Sequence, residues 1–134
     1  TGSNAIGLSG ADGNIVTARR RAPEPVDFGF VGDIERVDHK LLGRLLDAGL
    51  VPVFPAIMHD GRGTLLNCNA DSVASAVALG AARLAPTDLI YCGTVSKWMI
   101  PKIENALRAV EKGVRSVTIR SAERLADDSG TTIR

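Results

Sequence analysis

The sequence predicts an α/β domain in which helices are layered on a largely parallel sheet, and three observations predict it. Short apolar runs of strand length alternate almost throughout with segments whose apolar residues recur at helical spacing. The run Leu50-Val51-Pro52-Val53-Phe54-Pro55-Ala56-Ile57 has the unbroken apolar character of a strand covered on both faces. Helix start and stop residues fall between the runs: Asp38 and Pro101 open helical segments, while Gly49, Pro86 and Gly113 close them. Right-handed crossovers between successive strands are expected.

Taken in order, Ala5-Ile6-Gly7-Leu8-Ser9 is a short apolar strand. The Asp-Gly step in Ala11-Asp12-Gly13-Asn14 signals a tight turn before Ile15-Val16-Thr17-Ala18, so this stretch reads as a strand leading into a hairpin. Arg19-Arg20-Arg21 reads as a solvated basic edge that could also meet an anion or an acidic neighbour. Pro23 and Pro25 break the pattern, after which Val26 to Ile34 returns to alternation, with Val26, Phe28 and Phe30 on one face.

Asp38 then caps a helix running through Ala48, with Leu41, Leu42, Leu45 and Leu46 as its apolar stripe and Gly49 at its end. His39 in the first turn is expected to be exposed. Two prolines inside the Leu50 to Ile57 run indicate an edge or a bend. The hairpin His59-Asp60-Gly61-Arg62-Gly63 feeds into Asn67-Cys68-Asn69-Ala70-Asp71, and from Ser72 onward Val73, Ala74, Val77, Ala78 and Ala81 mark a helix to about Leu84. Asp88-Leu89-Ile90-Tyr91-Cys92 is another short buried strand. Pro101 opens a helix whose stripe is Ile100, Ile103, Leu107 and Val110. Val114, Val117 and Ile119 make a further strand, Ser121 caps a short helix through about Ala126, and Thr131-Thr132-Ile133 is a terminal strand.

At 134 residues the chain has the length of one ordinary domain, 1–134, and no repeat or linker divides it. A formal net charge of +1 argues against a dedicated nucleic-acid or membrane-surface binder, so small molecules or further copies of the chain are the expected partners. Cys68 and Cys92 lack metal-ligand spacing, and no signal peptide or membrane-length apolar run is present. A reduced, cytoplasmic protein is expected. There is no initiator methionine, and strand-like residues begin at Ala5, so the chain reads as starting within a fold.

The chemically expensive residues gather at helix starts, which in sheets of this kind lie beside the carboxyl ends of the strands where ligands bind. Asn67, Asn69 and Asp71 crowd one such start. Capping explains residues of this type there, because they accept hydrogen bonds from the first helical N–H groups. A cap needs one of them, whereas three within five positions leaves room for an amide that orients a bound carboxylate and for Asp71 to position a cation. Lys102 lies in the first turn of another helix, facing the positive end of the dipole. Either it extends into water, where screening makes the penalty trivial, or an arriving anion reverses the sign. Asp71 could pair with Lys102 across neighbouring strand ends. His59 reads as a solvated turn residue, and no Walker loop, dinucleotide fingerprint or nucleophile elbow is present.

Four segments together resemble the acetylglutamate kinases of the amino-acid kinase superfamily. They are Gly7-Leu8-Ser9-Gly10-Ala11-Asp12-Gly13-Asn14, Gly29-Phe30-Val31-Gly32-Asp33-Ile34, Leu66-Asn67-Cys68-Asn69-Ala70-Asp71, and Met99-Ile100-Pro101-Lys102 with the helix from Asn105 to Gly113. The resemblance implies a three-layer αβα sandwich with an open, mainly parallel sheet. It also implies transfer of the ATP γ-phosphoryl group, with Mg2+ carried by the nucleotide, to the side-chain carboxylate of N-acetyl-L-glutamate in arginine biosynthesis. By the same resemblance Lys102 stabilises the transition state and Asp71 holds the catalytic lysines. Asn67 binds the acylated amino acid, Asn69 is a weaker candidate beside it, and Thr94, Val95 and Ser96 contact the nucleotide. Family members assemble as homodimers or larger oligomers.

The chain also departs from the family. The first third of a family member, with its glycine-rich phosphate loops, a second catalytic lysine and a substrate-gripping arginine, has no counterpart here. Tyr91-Cys92 abuts Gly93-Thr94-Val95-Ser96 where the family carries a long excursion, and Lys97-Trp98 replaces a small, glycine-containing pair. The chain therefore reads as a retained part of a complete kinase, or as a truncated one for which little or no kinase activity is expected. Two alternatives accompany this reading: a kinase of another N-acylated amino acid, and a non-catalytic binding or assembly module of the same fold.

Overall fold

The computed structural model describes residues 2–92, 99–121 and 130–134, and among them are nine strands and three helices in α/β order. Strand β1 (Ala5–Gly7) is followed by one turn of 3-10 helix at Asp12–Asn14, β2 (Val16–Arg20) and β3 (Gly32–Val37). Helix α1 (His39–Asp47), β4 (Val51–Val53), β5 (Ile57–His59) and β6 (Leu65–Asn67) come next. Helix α2 (Ala70–Ala82), β7 (Asp88–Cys92), α3 (Met99–Glu111), β8 (Ser116–Arg120) and β9 (Thr131–Ile133) complete the order.

The strands form three sheets. β1 pairs with β4 in parallel; β3-β2-β5-β6 form a mixed sheet; and β7-β8-β9 form a third, with β7 parallel and β9 antiparallel to β8. The hairpin expected between β1 and β2 is not made. The Asp12 carboxylate instead accepts from the Ser9 amide and hydroxyl, both at 2.7 Å, which closes a compact turn and sends β2 away from β1 to pair with β3.

Two further expectations are corrected. Val26, Phe28 and Phe30 alternate but form no strand and are 51–64% exposed. The Asp27 carboxylate takes the Gly29 amide at 2.8 Å, and the Phe28 and Phe30 rings lie under the Arg21 and Arg20 guanidinium groups at 5.5 and 5.3 Å. Val31 makes an isolated bridge to Asn67, and the strand itself begins only at Gly32, where an added Cβ would stand 2.9 Å from the Leu66 Cβ, so only glycine allows this close approach. The run from Leu50 bends at Phe54-Pro55-Ala56 into β4 and β5, as its prolines indicate, but Val51 and Val53 are about half exposed rather than covered on both faces. The short helix expected after Ser121 lies outside the described residues.

The core has two clusters. Ile15, Val16, Leu42, Met58, Leu66 and Val73 form one, while Ala78, Leu89, Tyr91, Ala106, Val117 and Ile119 form the other. Helix α2 contributes to both, which explains why its apolar and small residues run around most of its circumference instead of along one stripe. This burial fixes α2 between β3, β7 and α3 and so sets where its first turn points.

Candidate active site

Helix α2 begins as its sequence indicates: Asn69 is the N-cap, its Oδ1 accepting from the Ser72 amide at 3.0 Å. Asp71 follows in the first turn, where the positive end of the helix dipole favours a carboxylate. β7 enters beside this turn with Leu89 and Tyr91 facing inward and Ile90 outward, the period-two alternation of a strand. α3 supplies Lys102 from its own first turn.

These elements bring Lys102 and Asp71 together. The ammonium donates to both carboxylate oxygens, at 2.7 Å to Oδ1 and 2.9 Å to Oδ2. The two side chains are only 18% and 27% exposed, so the pair is screened far less than a surface ion pair. The cation at a helix start, unfavourable by itself, is thus compensated by a carboxylate that the neighbouring helix start favours. An ammonium has three donors, so this arrangement leaves one for an incoming anion.

Tyr91 supports the pair from beneath. Its ring centroid lies 5.5 Å from the Lys102 Nζ. Its hydroxyl donates to the Asp71 backbone carbonyl at 3.1 Å and shares a hydrogen bond with the Ser75 hydroxyl. Burial pushes the phenol above its ordinary pKa, and the Asp71 charge adds to this against the Ser75 hydrogen bond, so the hydroxyl remains protonated and able to donate at neutral pH. Sequence reasoning did not single out Tyr91 or Ser75. The available signals were the chain's single tyrosine at the carboxyl end of a strand and a serine one turn after Asp71.

The other expected residues fall differently. Asn67 ends β6 and is exposed; its backbone is tied to Phe30 at 2.8 Å, and its side-chain amide has no hydrogen bond among the described residues and makes none to the Lys102–Asp71 pair. Asn69 uses its carbonyl as a cap. Thr94, Val95 and Ser96 lie outside the described residues. His59, expected to be solvated, is 7% exposed: it closes β5 opposite Thr17 and Leu65, and its Nδ1 accepts from the Gly61 amide at 3.1 Å. His39 is half-buried and lies near Gly80 of α2 rather than exposed. The basic cluster meets acidic neighbours, Arg21 joining Asp33 at 2.5 Å and Arg20 facing Asp27 at 3.6 Å.

A groove of about 830 Å³ runs between β3, α2 and α3, lined by Asn69, Ser72, Ser75 and Asn105 near the pair and by Arg83 and Lys112 at its far end. Neither Asp71 nor Lys102 lines it, so the ion pair stands beside this groove and not within it. Among the described residues no group of three His, Cys, Asp or Glu side chains is arranged to hold a metal ion, and both Asp71 oxygens are taken by Lys102. Among the described residues no helix is long and apolar enough to cross a membrane.

Residues 1–97 match the family model described as the amino acid kinase family. The chain is 36% identical to an acetylglutamate kinase of Bacteroides thetaiotaomicron over 164 residues, covering 99% of this chain and 64% of that protein. It is 38% identical to an acetylglutamate kinase of Methanopyrus kandleri over 166 residues, covering 99% of this chain and 67% of that protein. The chain thus spans about 64% of the length of the Bacteroides relative, and the alignments are longer than its own 134 residues. Among solved structures, smu.665 from Streptococcus mutans superposes with a TM-score of 0.72 at 26% identity, covering 88% of this chain and 57% of that one. The N-acetylglutamate synthase of Neisseria gonorrhoeae, complexed with coenzyme A and L-arginine, superposes at 0.74 with 23% identity, covering 89% of this chain and 32% of that one, and shares the fold.

Proposed function

The chain belongs to the amino acid kinase family, and from that premise we propose that it serves an acetylglutamate kinase reaction, in which the ATP γ-phosphoryl group passes to the side-chain carboxylate of N-acetyl-L-glutamate. The similarity to acetylglutamate kinases over 99% of the chain supports the substrate assignment. The single observation that carries the chemistry is the partly buried Lys102–Asp71 pair at two helix starts. The acceptor carboxylate is ionised near neutral pH and needs no general base. What the protein must provide is alignment and positive charge for the oxygens of the transferring group.

In this reading Lys102 directs its remaining N–H at those oxygens, and Asp71 keeps the ammonium in place. Asn67, whose amide is exposed and uncommitted, binds the acylated amino acid, with Asn69 a lesser contributor because its carbonyl is held by Ser72. Thr94, Val95 and Ser96 contact the nucleotide. Magnesium bound to the nucleotide supplies further charge neutralisation. The protein works in the cytoplasm of the cell as an assembly of several copies.

A second reading is favoured by Lys97-Trp98, which stand where the family carries a small, glycine-containing pair: a binding or assembly module of the same fold without turnover. Trapping the acyl phosphate as a hydroxamate, with ATP and N-acetyl-L-glutamate, separates the two. Turnover that falls at least 100-fold in Lys102→Ala supports the kinase, in line with the loss of about 10²–10³ when one preorganised donor to a transition state is removed. Absence of turnover, with calorimetric binding of at most one of the two substrates, supports the module. Competition with N-succinylglutamate and an N-acylated aminoadipate tests the acyl-acceptor choice.

A further inference from the structure

We propose that Tyr91 is a positioning residue for Lys102 and Asp71, holding the ammonium over its ring and anchoring the first turn of α2 through its hydroxyl, with Ser75 completing the anchor. This rests on the reading of that pair as the reactive centre. Tyr91 is 3% exposed, and a tyrosine buried to that extent needs a partner for its hydroxyl. It finds two, the Asp71 carbonyl oxygen and the Ser75 hydroxyl, four residues apart on α2. In an α-helix the carbonyl at position 71 already accepts from the amide at 75, so the phenol takes its second lone pair and ties one turn of backbone to β7.

The ring contributes separately. At 5.5 Å from the centroid the Lys102 ammonium lies within the range of a cation–π contact, and at 18% exposure that contact is largely desolvated. Two carboxylate oxygens and a ring face then restrict where the ammonium can sit. A phenylalanine would fill the same space in the cluster around Leu89 and Val117 but would leave the helix turn unanchored.

The test uses the full chain and three variants, Tyr91→Phe, Tyr91→Leu and Ser75→Ala, read by the ring-current shift of the Lys102 Cε protons at neutral pH, by amide exchange across α2 and by steady-state kinetics. Tyr91→Leu, lacking the ring face, is expected to lose the ring-current shift of the Lys102 Cε protons seen in wild type; an unchanged shift overturns the role of the ring. Tyr91→Phe keeps the ring and is expected to leave that proton shift in place while exchange in the first turn of α2 quickens about tenfold, the loss expected for one hydrogen bond. In the same variant kcat falls with KM for ATP retained, and Ser75→Ala gives a smaller effect of the same kind. Wild-type exchange and kcat in Tyr91→Phe overturn the anchor, and if Tyr91→Leu fails to fold, Tyr91→Phe still decides it. Wild-type protein without turnover defeats the kinase reading alone, since the ring-current shift and amide exchange report on Tyr91 without catalysis.

Discussion

Lys102 on α3 and Asp71 on α2, 31 residues apart in sequence, meet through two hydrogen bonds of 2.7 and 2.9 Å. Each residue is the other's charge compensation at a largely covered position. Removing either strands a partly buried charge, so Lys102→Met and Asp71→Leu are each expected to lower stability by about 1–3 kcal/mol. The double variant should lose less than the sum, giving a coupling of roughly 1 kcal/mol in a urea-denaturation cycle. Additive losses would show that the two groups do not support each other.

A second prediction concerns acid. The Arg115 guanidinium, and after it the Ser116 hydroxyl at 2.7 Å, hold the Asp88 carboxyl well below the usual aspartate range. Its folded value lies below its unfolded one, near 3.9, so between the two the unfolded chain binds more protons. The stabilisation is present above about pH 4 and is lost as pH falls toward the folded value. Asp12, Asp33, Asp38 and Asp60 are lowered as well, which spreads the acid sensitivity. Asp88→Asn should flatten the fall of the urea midpoint between about pH 4 and 2 without abolishing it. An unchanged slope would remove Asp88 from the account.

Asp38 accepts from the amides of Lys40 and Leu41, both at 3.0 Å, and so satisfies two donors at the start of α1. Asp38→Ala is expected to cost about 0.5–2 kcal/mol, whereas Asp38→Ser should recover most of it. Thermal and chemical denaturation of the two variants measure this directly.

Gly10 links two parts of the fold, its amide donating to Ile57 at 2.9 Å and its carbonyl accepting from Val16 at 3.2 Å. An added Cβ would stand 2.9 Å from the Met58 Cα and nearer still to the Val16 carbonyl oxygen. Because these are backbone atoms, Gly10→Ala should destabilise by about 1–3 kcal/mol or more through overpacking. Gly7→Ala meets nothing within 4 Å and serves as the control. Equal stability of the two variants would contradict the packing described around β2 and β5.

Much of this molecule is readable from short stretches. The Asp38 cap, the stop at Gly49, the apolar spacing of α2 and the Leu41, Leu42 and Leu45 face of α1 depend on neighbours within about four residues and form as read, whereas Leu46 is exposed and β7, expected to be buried, covers only Leu89 and Tyr91. The Asn69 cap belongs with them. Alternation misled at Val26, Phe28 and Phe30, because a period of two is shared by strands and by exposed turns whose aromatic rings are covered by arginines. His59 misled for the opposite reason: its turn-like neighbours are local, whereas its burial comes from Thr17 and Leu65.

Local patterning alone places the starts of α1 and α2, the residue types that stand there, and the alternating α/β order of the described elements. Long-range packing settles that β1 joins β4, that the two helix starts carrying Asp71 and Lys102 lie against each other, and that Tyr91 lies beneath them. The reason is physical. Caps and periodicity are fixed by hydrogen bonds and side-chain spacing along a few residues, while the meeting of two helix ends depends on strand order and on the burial of α2 between two apolar clusters, to which distant parts of the chain contribute together.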